Sequence, residues 1–238
     1  MEHSHAGLFI AVVVFVLLAA GIMVVLNPPL PSSGAPGPGA DAVMLTGVPD
    51  VMQSQTWSCG AGSFRAVLGY YGISSFESDL IALLNTTPTH GTYPWDMVNA
   101  SAKLGFSAQW RENVTLDEVR ASLEQGVPVI IDGQRFRDAN KSWDDTWETG
   151  HYMVVIGLDG QNVYLEDPAV IGSRLSVPRD TFVSLWHDYE SELPAPPDAH
   201  KYCHLGVFIN GTIPAQRPAY INITDTYPAV WKDRVVRL

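Results

Sequence analysis

The chain has 238 residues and a formal net charge of −11, although only 16% of its residues are charged. Once an apolar N-terminal segment is set aside, the remainder is long enough to form one domain with a well-packed core. The acidic balance and the lack of a basic stripe argue against a nucleic-acid partner.

The N-terminal segment predicts a membrane anchor. Residues 6–26 form an unbroken apolar run that is long enough to span a bilayer. The run is longer than the apolar core of a usual signal peptide, which favours an uncleaved transmembrane anchor over residues 1–27. A cleaved signal peptide is the alternative. No Lys or Arg precedes the run and the first one after it is Arg65, so the positive-inside rule gives no orientation.

A linker and one domain are predicted to follow the anchor. Residues 28–44 are rich in Pro, Gly, Ser and Ala, a composition that is typical of a flexible tether. The folded domain is expected over residues 45–213. Residues 214–238 have a mixed pattern and are interpreted as a C-terminal tail.

Hydrophobic periodicity and turn signals divide this domain into helices and strands. Helices are predicted at residues 61–71, 76–84, 96–104, 115–125 and 180–186. Strands are predicted at residues 106–110, 127–132, 151–158, 162–167 and 205–209. Thr115 and Glu118 fit a capping box, and residues 134–149 are predicted to be a loop. Because helices come first and strands cluster after them, the order indicates an α+β fold.

The asparagines indicate on which side of the membrane the domain lies. Six of the eight stand in N-x-[ST] sequons, where about one is expected by chance. They are Asn85, Asn99, Asn113, Asn140, Asn210 and Asn222. A turn preference of Asn near Ser and Thr is the alternative, but it does not account for an excess of this size. The excess predicts a glycosylated domain that lies outside the cytoplasm, C-terminal to a single membrane anchor.

Cys59 directly precedes the first predicted helix, where a sulfur lies at the positive end of the helix dipole. That field favours the thiolate, which is the nucleophilic form of cysteine. Ser58 can cap the helix with its hydroxyl, and the side-chain amide of Gln53 can donate to a developing oxyanion. The alternative is that Cys59 is a small buried apolar residue, which is the commoner role of a lone cysteine.

A histidine and an aspartate flank the predicted hairpin. Asp159 and Gly160 are a hairpin turn signal, and a turn centred there pairs residues whose numbers sum to about 319. His151 and Asp167 then fall opposite each other or within one position of register. The carboxylate can fix the imidazole tautomer and leave the other ring nitrogen free to face Cys59. Taken singly, the histidine is explained by backbone bonding at a strand end and the aspartate by turn formation.

Together these stretches resemble the bacteriocin-processing, or double-glycine leader, cysteine peptidases of the papain-like clan. The resemblance covers residues 48–186. Its motifs are Gln-x5-Cys-Gly at 53–60, Gly-Tyr-Tyr-Gly at 69–72, Gly-Val-Pro-Val-Ile at 126–130, Gly-His-Tyr-Met-Val-Val-Ile-Gly at 150–157 and Glu-Asp-Pro at 166–168. It implies a stand-alone, membrane-anchored member with a papain-like α+β fold, in which N-terminal helices pack on an antiparallel sheet.

The resemblance also implies roles for four residues. Cys59 is the nucleophile, His151 the general base and acid, and Asp167 the residue that orients His151. Gln53 supplies the oxyanion hole together with the Cys59 backbone N–H. The implied activity is hydrolysis of a peptide or protein substrate without a metal or an organic cofactor.

Two departures from the family leave double-glycine specificity without support. The sequence has no Gly-x4-Gly-Lys-Ser/Thr phosphate-binding motif, and Ser58 stands where the family often has Asp. The alternatives to the peptidase are a catalytically silent peptide-binding domain and an acyl-transfer or amide hydrolase on the same fold.

A second set of reactive side chains lies near the end of the predicted domain, at His187, His200, Cys203 and His204. Their spacing matches no compact zinc pattern and Pro-rich sequence separates them, so no metal site is predicted. If Cys59 is catalytic it must be free, and core burial is then expected for Cys203. A Cys59–Cys203 disulfide, which would silence the site, is the alternative.

Overall fold

The computed structural model describes residues 37–170, 174–190 and 195–215, together with the backbone of residues 223–226. The predicted anchor, residues 28–36 of the predicted linker and most of the predicted tail lie outside these residues. Within the described ranges, no helix has the length and hydrophobicity needed to cross a bilayer.

The helices follow their sequence signals to within a few residues. In the described chain they are α1 (Cys59–Tyr70), α2 (Glu77–Leu83), α3 (Pro94–Lys103), α4 (Leu116–Glu124) and α5 (Arg179–Leu185). Thr115 and Glu118 form the predicted capping box at the start of α4. Gly72, Gly105 and Gly126 follow α1, α3 and α4 with positive φ angles of 82°, 84° and 77°. Because glycine adopts this conformation without a Cβ clash, these positions end their helices sharply.

Most strands belong to one large sheet. The strands are β1 (Val43–Met44), β2 (Ser107–Arg111), β3 (Val129–Gln134), β4 (Gly150–Leu158), β5 (Asn162–Glu166), β6 (Arg174–Pro178), β7 (His187–Tyr189), β8 (Lys201–Cys203), β9 (Gly206–Asn210) and β10 (Ile223–Thr226). The sheet order is β10-β6-β5-β4-β3-β9-β2, and β1 pairs with β4. All pairs in this sheet are antiparallel except β10 with β6. The predicted α+β class with an antiparallel sheet is confirmed.

Five strands were not predicted from the sequence, namely β1, β6, β7, β8 and β10. β1, β7 and β8 have only two or three residues, which is too short for a periodic signal. β6 opens with the charged Arg174, which is buried. β1 lies within the predicted linker and pairs with the end of β4. β10 lies within the predicted tail and pairs with β6.

The helix that begins at Cys59 is the central element of the core. Phe64, Val67 and Leu68 of α1 are fully buried, and the helix packs against β4. β4 is itself buried along eight of its nine residues. Burial of this interface fixes the start of α1 relative to the start of β4, where Cys59 and His151 stand.

Candidate active site

Cys59 is the first residue of α1, two positions earlier than the predicted start of the helix. Ser58 occupies the N-cap position, but its side chain makes no capping hydrogen bond. Instead of capping the helix, its hydroxyl donates toward Glu77 Oε1, 2.5 Å away, and the Gln55 carbonyl oxygen, 3.1 Å away. A carboxylate is a stronger acceptor than a carbonyl. The prediction that Ser58 caps α1 with its side chain is therefore wrong.

Glu77, at the start of α2, fastens the segment that leads to Cys59. Its carboxylate accepts the Ser54 backbone N–H at 2.8 and 3.0 Å as well as the Ser58 hydroxyl. Glu77 is only 8% exposed, so these hydrogen bonds form in a site with little water. These hydrogen bonds hold the segment between Gln53 and Cys59 at two points, Ser54 and Ser58.

Replacing Glu77 with alanine is expected to lower the free energy of unfolding by about 1–3 kcal/mol. The substitution leaves the Ser54 N–H and the Ser58 hydroxyl without their buried acceptor. Urea denaturation measures the change. Asp79→Ala is a matched control, because Asp79 lies in the same helical turn and is exposed. Equal stability of the two variants would contradict the role given to Glu77.

The sulfur of Cys59 is free and buried. Burial by itself raises the pKa of a thiol. Here the hydrogen bond and charge of His151, with the backbone N–H groups of Tyr152 and Gly60, outweigh burial and lower the pKa of Cys59. The environment therefore favours a thiolate paired with an imidazolium.

His151, the second residue of β4, is joined to Asp167. Its Nε2 lies 2.6 Å from Asp167 Oδ1, and both side chains are buried. The Ala169 N–H donates to the same Oδ1 at 2.8 Å and helps to fix the carboxylate. Because Nε2 is engaged by Asp167, Nδ1 remains for the hydrogen bond with the Cys59 sulfur. His151 is thus hydrogen-bonded to Asp167 through Nε2, and it also lowers the pKa of the Cys59 thiol.

Charge interactions stabilise the arrangement of Asp167, His151 and Cys59. Burial disfavours the imidazolium, but the Asp167 carboxylate and the Cys59 sulfur raise the pKa of His151 to about 9. Burial also disfavours a charged Asp167, but His151 and Arg135 hold the pKa of that carboxyl below its usual range. At neutral pH the expected state is carboxylate, imidazolium and thiolate in a row.

The register that brings His151 and Asp167 together differs from the predicted one. Asp159 N–H donates to the Asn162 carbonyl oxygen, so the turn is centred between Gly160 and Gln161, one residue later than predicted. A bulge then shifts the β4–β5 register between Val155 and Gly157.

As a result, the two residues are not opposite each other. Glu166 pairs with Val154, which places Asp167 beside Met153 and two positions from His151. The contact forms nonetheless, because side chains in diagonal positions of a hairpin are still within reach.

Gln53 connects the cysteine segment to the residues that follow Asp167. Its backbone N–H donates to the Pro168 carbonyl oxygen at 2.6 Å, and its side-chain Nε2 donates to the Gln55 carbonyl oxygen at 2.6 Å. Its Oε1 is buried and accepts no hydrogen bond from the residues that the structure describes. Gln53 therefore lies near the start of α1, with one amide N–H already committed to the loop.

A buried ion pair that the sequence analysis missed supports the same region. Glu166, next to Asp167, pairs with Arg174 of β6. Glu166 Oε1 also accepts the Val51 N–H at 2.8 Å, and Arg174 donates to the Val48 carbonyl oxygen. The pair thereby ties β5 and β6 to the segment that leads into Gln53. Opposite charges at distant sequence positions give no local signal for such a contact.

Two further buried acids near the site were also missed. Asp132 lies on β3, and Asp188 lies on β7. Asp132 ends the apolar strand that was predicted at residues 127–132, where a carboxyl group is uncommon, and that was the one available signal.

The predicted loop is confirmed over residues 135–149, whereas Gln134 belongs to β3. Trp147 of this loop packs beside the β7 residues His187 and Tyr189, with ring-centre distances of 4.1 and 4.9 Å. The loop therefore packs on β7 through the Trp147 side chain.

The remaining reactive side chains make separate contacts. His187 Nε2 lies 2.7 Å from the Thr146 carbonyl oxygen, His200 Nε2 lies 2.9 Å from Glu112 Oε1, and the His204 ring stacks on Trp186. Among the described residues, no group of three His, Cys, Asp or Glu side chains is placed to hold a metal ion.

The prediction of core burial for Cys203 is wrong. Both cysteines are free, and Cys203 is exposed. The strand alternates, so Lys201 and Cys203 of β8 face outward while Tyr202 is buried.

This fold is that of a papain-like cysteine peptidase domain. Helices pack on an antiparallel sheet, and a cysteine at a helix start meets a strand-borne histidine that is ordered by a carboxylate. The chain belongs to the Peptidase C39 like family, whose family model matches residues 45–193.

The chain is also similar to individual proteins. An uncharacterized protein of Methanothermobacter thermautotrophicus is 29% identical over 143 residues, which cover 59% of this chain and 86% of the relative. An uncharacterized protein of Methanothermobacter marburgensis is 30% identical over 137 residues, covering 57% and 81%. The crystal structure of a C39-like peptidase from Bacillus anthracis has a TM-score of 0.54 at 20% identity and covers 73% of this chain and 99% of that one. The last likeness shows the fold.

Proposed function

We propose that the protein is a cysteine peptidase in which Cys59 is the nucleophile. The observation that carries the proposal is the buried Asp167–His151 hydrogen bond together with the free Cys59 sulfur, whose pKa His151 lowers. Membership of a peptidase family adds to it.

In the proposed reaction, the Cys59 thiolate attacks the carbonyl carbon of a peptide bond. The Cys59 backbone N–H and the side-chain amide of Gln53 donate to the oxyanion that develops. His151 then transfers its proton to the leaving amine, and a thioester remains on Cys59. Water activated by neutral His151 releases the acid and restores the thiolate. Asp167 holds the ring in position throughout.

The free sulfur supports a peptidase over a silent peptide-binding domain. A binding module needs neither a lowered thiol pKa nor an imidazole held by a buried carboxylate, and this site has both. Acyl transfer or hydrolysis of another amide would use the same groups and differs only in the acyl acceptor or the bond attacked.

The test is incubation of the protein with a diverse peptide library beside its Cys59→Ala variant. Mass spectrometry should find cleavage products that appear only with the wild-type protein. An aminolysis product, detected when a free amine is added, would indicate acyl transfer instead. Binding of peptides without any covalent product would favour the silent domain.

We further propose that the N-terminal segment anchors the protein in a membrane, with the peptidase domain outside the cytoplasm and N-glycosylated. Five of the six sequon asparagines lie in the described part of the chain and all five are exposed: Asn85, Asn99, Asn113, Asn140 and Asn210. Exposure supports the proposal because an attached glycan must project into solvent.

Protein isolated from its natural host is expected to sediment with membranes and to yield glycopeptides at one or more of these positions. Peptide mapping by mass spectrometry, before and after removal of glycans, measures occupancy. Asn162 provides an internal control, since it is outside any sequon. Unmodified asparagine at all six positions would contradict the glycosylation proposal, and recovery in the cytosolic fraction would contradict the anchor.

A further inference from the structure

A half-buried arginine that takes no direct part in the proposed reaction contacts the segment that carries Asp167. Arg135 follows β3 directly, and its backbone N–H donates to the Thr149 carbonyl oxygen, which extends the β3–β4 ladder by one pair. Gly133 pairs with His151, and side chains alternate along a strand. Arg135 therefore lies on the same face of the sheet as the His151 side chain.

Residues 167–170 form a turn that presents the Asp167 carboxylate to His151. The Asp167 carbonyl oxygen accepts the Val170 N–H at 3.0 Å, and Asp167 Oδ1 accepts the Ala169 N–H at 2.8 Å. Pro168 stands at the second position of the turn, which its fixed φ angle favours. These local hydrogen bonds shape the turn, but they do not attach it to the neighbouring elements.

Two further hydrogen bonds attach the turn to the rest of the site. Arg135 Nη2 donates to the Ala169 carbonyl oxygen at 3.3 Å, and the Gln53 backbone N–H donates to the Pro168 carbonyl oxygen at 2.6 Å. Ala169 is thus held at both of its backbone polar groups. Its N–H bonds to the Asp167 carboxylate, and its carbonyl oxygen bonds to Arg135.

The positive charge of Arg135 also suits this position. Asp167 is fully buried, and its Oδ2 accepts no hydrogen bond from the residues that the structure describes. A buried carboxylate is costly unless cations and hydrogen bonds compensate its charge. Burial raises the pKa of Asp167, but His151, Arg135 and the Ala169 N–H together lower it below its usual range. Arg135 therefore favours the ionised form of Asp167.

We propose that Arg135 is a positioning residue whose guanidinium group holds the Ala169 carbonyl and so keeps the Asp167 carboxylate, in its ionised form, against His151. The inference deepens the proposed function and rests on it for its catalytic consequence. Arg135 acts through Asp167 on the orientation of the imidazole. A small displacement of a catalytic group slows the chemical step much more than it weakens substrate binding.

Other charged groups stand around the same carboxylate. They are His151 of β4, Cys59 of α1, and the ion pair that Glu166 of β5 forms with Arg174 of β6. All of these groups remain in the variants described below. A change in titration can therefore be assigned to residue 135.

The test compares wild type with Arg135→Met in two measurements, the alkylation of Cys59 by iodoacetamide across the pH range and the kinetics on a peptide that wild type cleaves. Methionine can still pack on the Phe136 ring, which lies 4.6 Å from the guanidinium carbon, but it has neither charge nor N–H donor. Loss of the cation disfavours the Asp167 carboxylate, so the imidazolium loses its counter-ion and the thiolate forms less readily. The acid limb of alkylation is expected to move up by about one pH unit. The kcat value should fall about 10- to 100-fold, with KM within about threefold of wild type.

Arg135→Lys is the conservative variant, and Arg137→Met is the matched control. Lysine keeps the charge and a donor group, so its acid limb should lie within about 0.3 pH units of wild type. Arg137 belongs to the same loop, is exposed and donates to the carbonyl oxygens of Asp138 and Lys141. Its replacement should change neither alkylation nor kcat. Arg135→Gln, which also removes the charge, takes the place of Arg135→Met if that variant does not fold.

A wild-type acid limb and a wild-type kcat in Arg135→Met would overturn the inference. An equal change in Arg137→Met would also overturn it, since packing of the loop would then be responsible, and so would an acid limb that stays shifted in Arg135→Lys. Alkylation needs no substrate. A protein whose alkylation profile shifts as expected but which cleaves no peptide would therefore support the role of Arg135 and count against the proposed function alone.

Discussion

Replacing Cys59 with alanine is expected to lower kcat/KM for peptide hydrolysis by at least about 10⁴-fold. Alanine offers no atom that can form the thioester, so the proposed reaction loses its first covalent step. The removed sulfur is small, and α1 should keep its packing on β4. Initial rates on a peptide from the library, measured beside far-UV circular dichroism, separate loss of chemistry from loss of fold.

Cys203→Ala is the control for this substitution. Cys203 is free like Cys59 but lies exposed on β8. Its replacement should leave the rate at the wild-type value. Wild-type turnover by Cys59→Ala would refute the assignment of the nucleophile, and so would loss of turnover in Cys203→Ala alone.

Replacing His151 with glutamine is expected to lower kcat/KM by about 10³- to 10⁴-fold. Glutamine can still donate to Asp167, but it can neither accept nor return the proton that the reaction moves. Cys59 also loses the neighbour whose hydrogen bond and charge oppose the effect of burial on its pKa. In the wild type, kcat/KM should fall as the pH rises through about 9, where His151 loses its proton. The variant should lack this alkaline limb.

His200→Gln is the matched control for His151. His200 is exposed and bonds to Glu112 on another part of the surface. Its variant should retain the wild-type rate and the wild-type pH profile. A His151→Gln protein within tenfold of the wild-type rate would argue against a catalytic imidazole at this position.

Local signals in the sequence were sufficient to predict most helices and the hairpin. The α4 capping box at Thr115 and Glu118 involves backbone and side chains only three residues apart, so it could be recognised from spacing. Gly72 and Gly126 mark helix ends because few other residues adopt their positive φ angles. Neighbouring residues determine these features, and no knowledge of the tertiary fold is needed.

Features that depend on distant residues could not be predicted. Ser58 has the chemistry of a helix cap, but Glu77 competes for its hydroxyl from another helix. Gln134 and Asp188 form a hydrogen bond only because β7 lies against β3. The exposure of Cys203 could not be predicted because β8 is too short to give a sequence pattern.

The candidate site contains residues that local signals predicted and a contact whose register they did not predict. Cys59 and His151 were found because each stands at the start of a regular element, where a reactive side chain contrasts with the apolar sequence that follows. The contact between His151 and Asp167 was expected for an incorrect reason, since the actual turn is one residue later and a bulge follows it. A side chain can reach diagonally across a hairpin, and this tolerance preserved the prediction of contact despite the error in register.

Competitive alkylation of the two cysteines most directly tests the claim that Cys59 is an activated nucleophile. The native protein is treated near pH 7 with a limiting amount of iodoacetamide, and the modified cysteine is identified by peptide mapping. Accessibility alone favours Cys203, which is exposed, over Cys59, which is buried. Activation predicts the reverse, with Cys59 modified at least about tenfold faster and with this preference lost in His151→Gln. Rapid modification of Cys203 with Cys59 left intact would contradict the account.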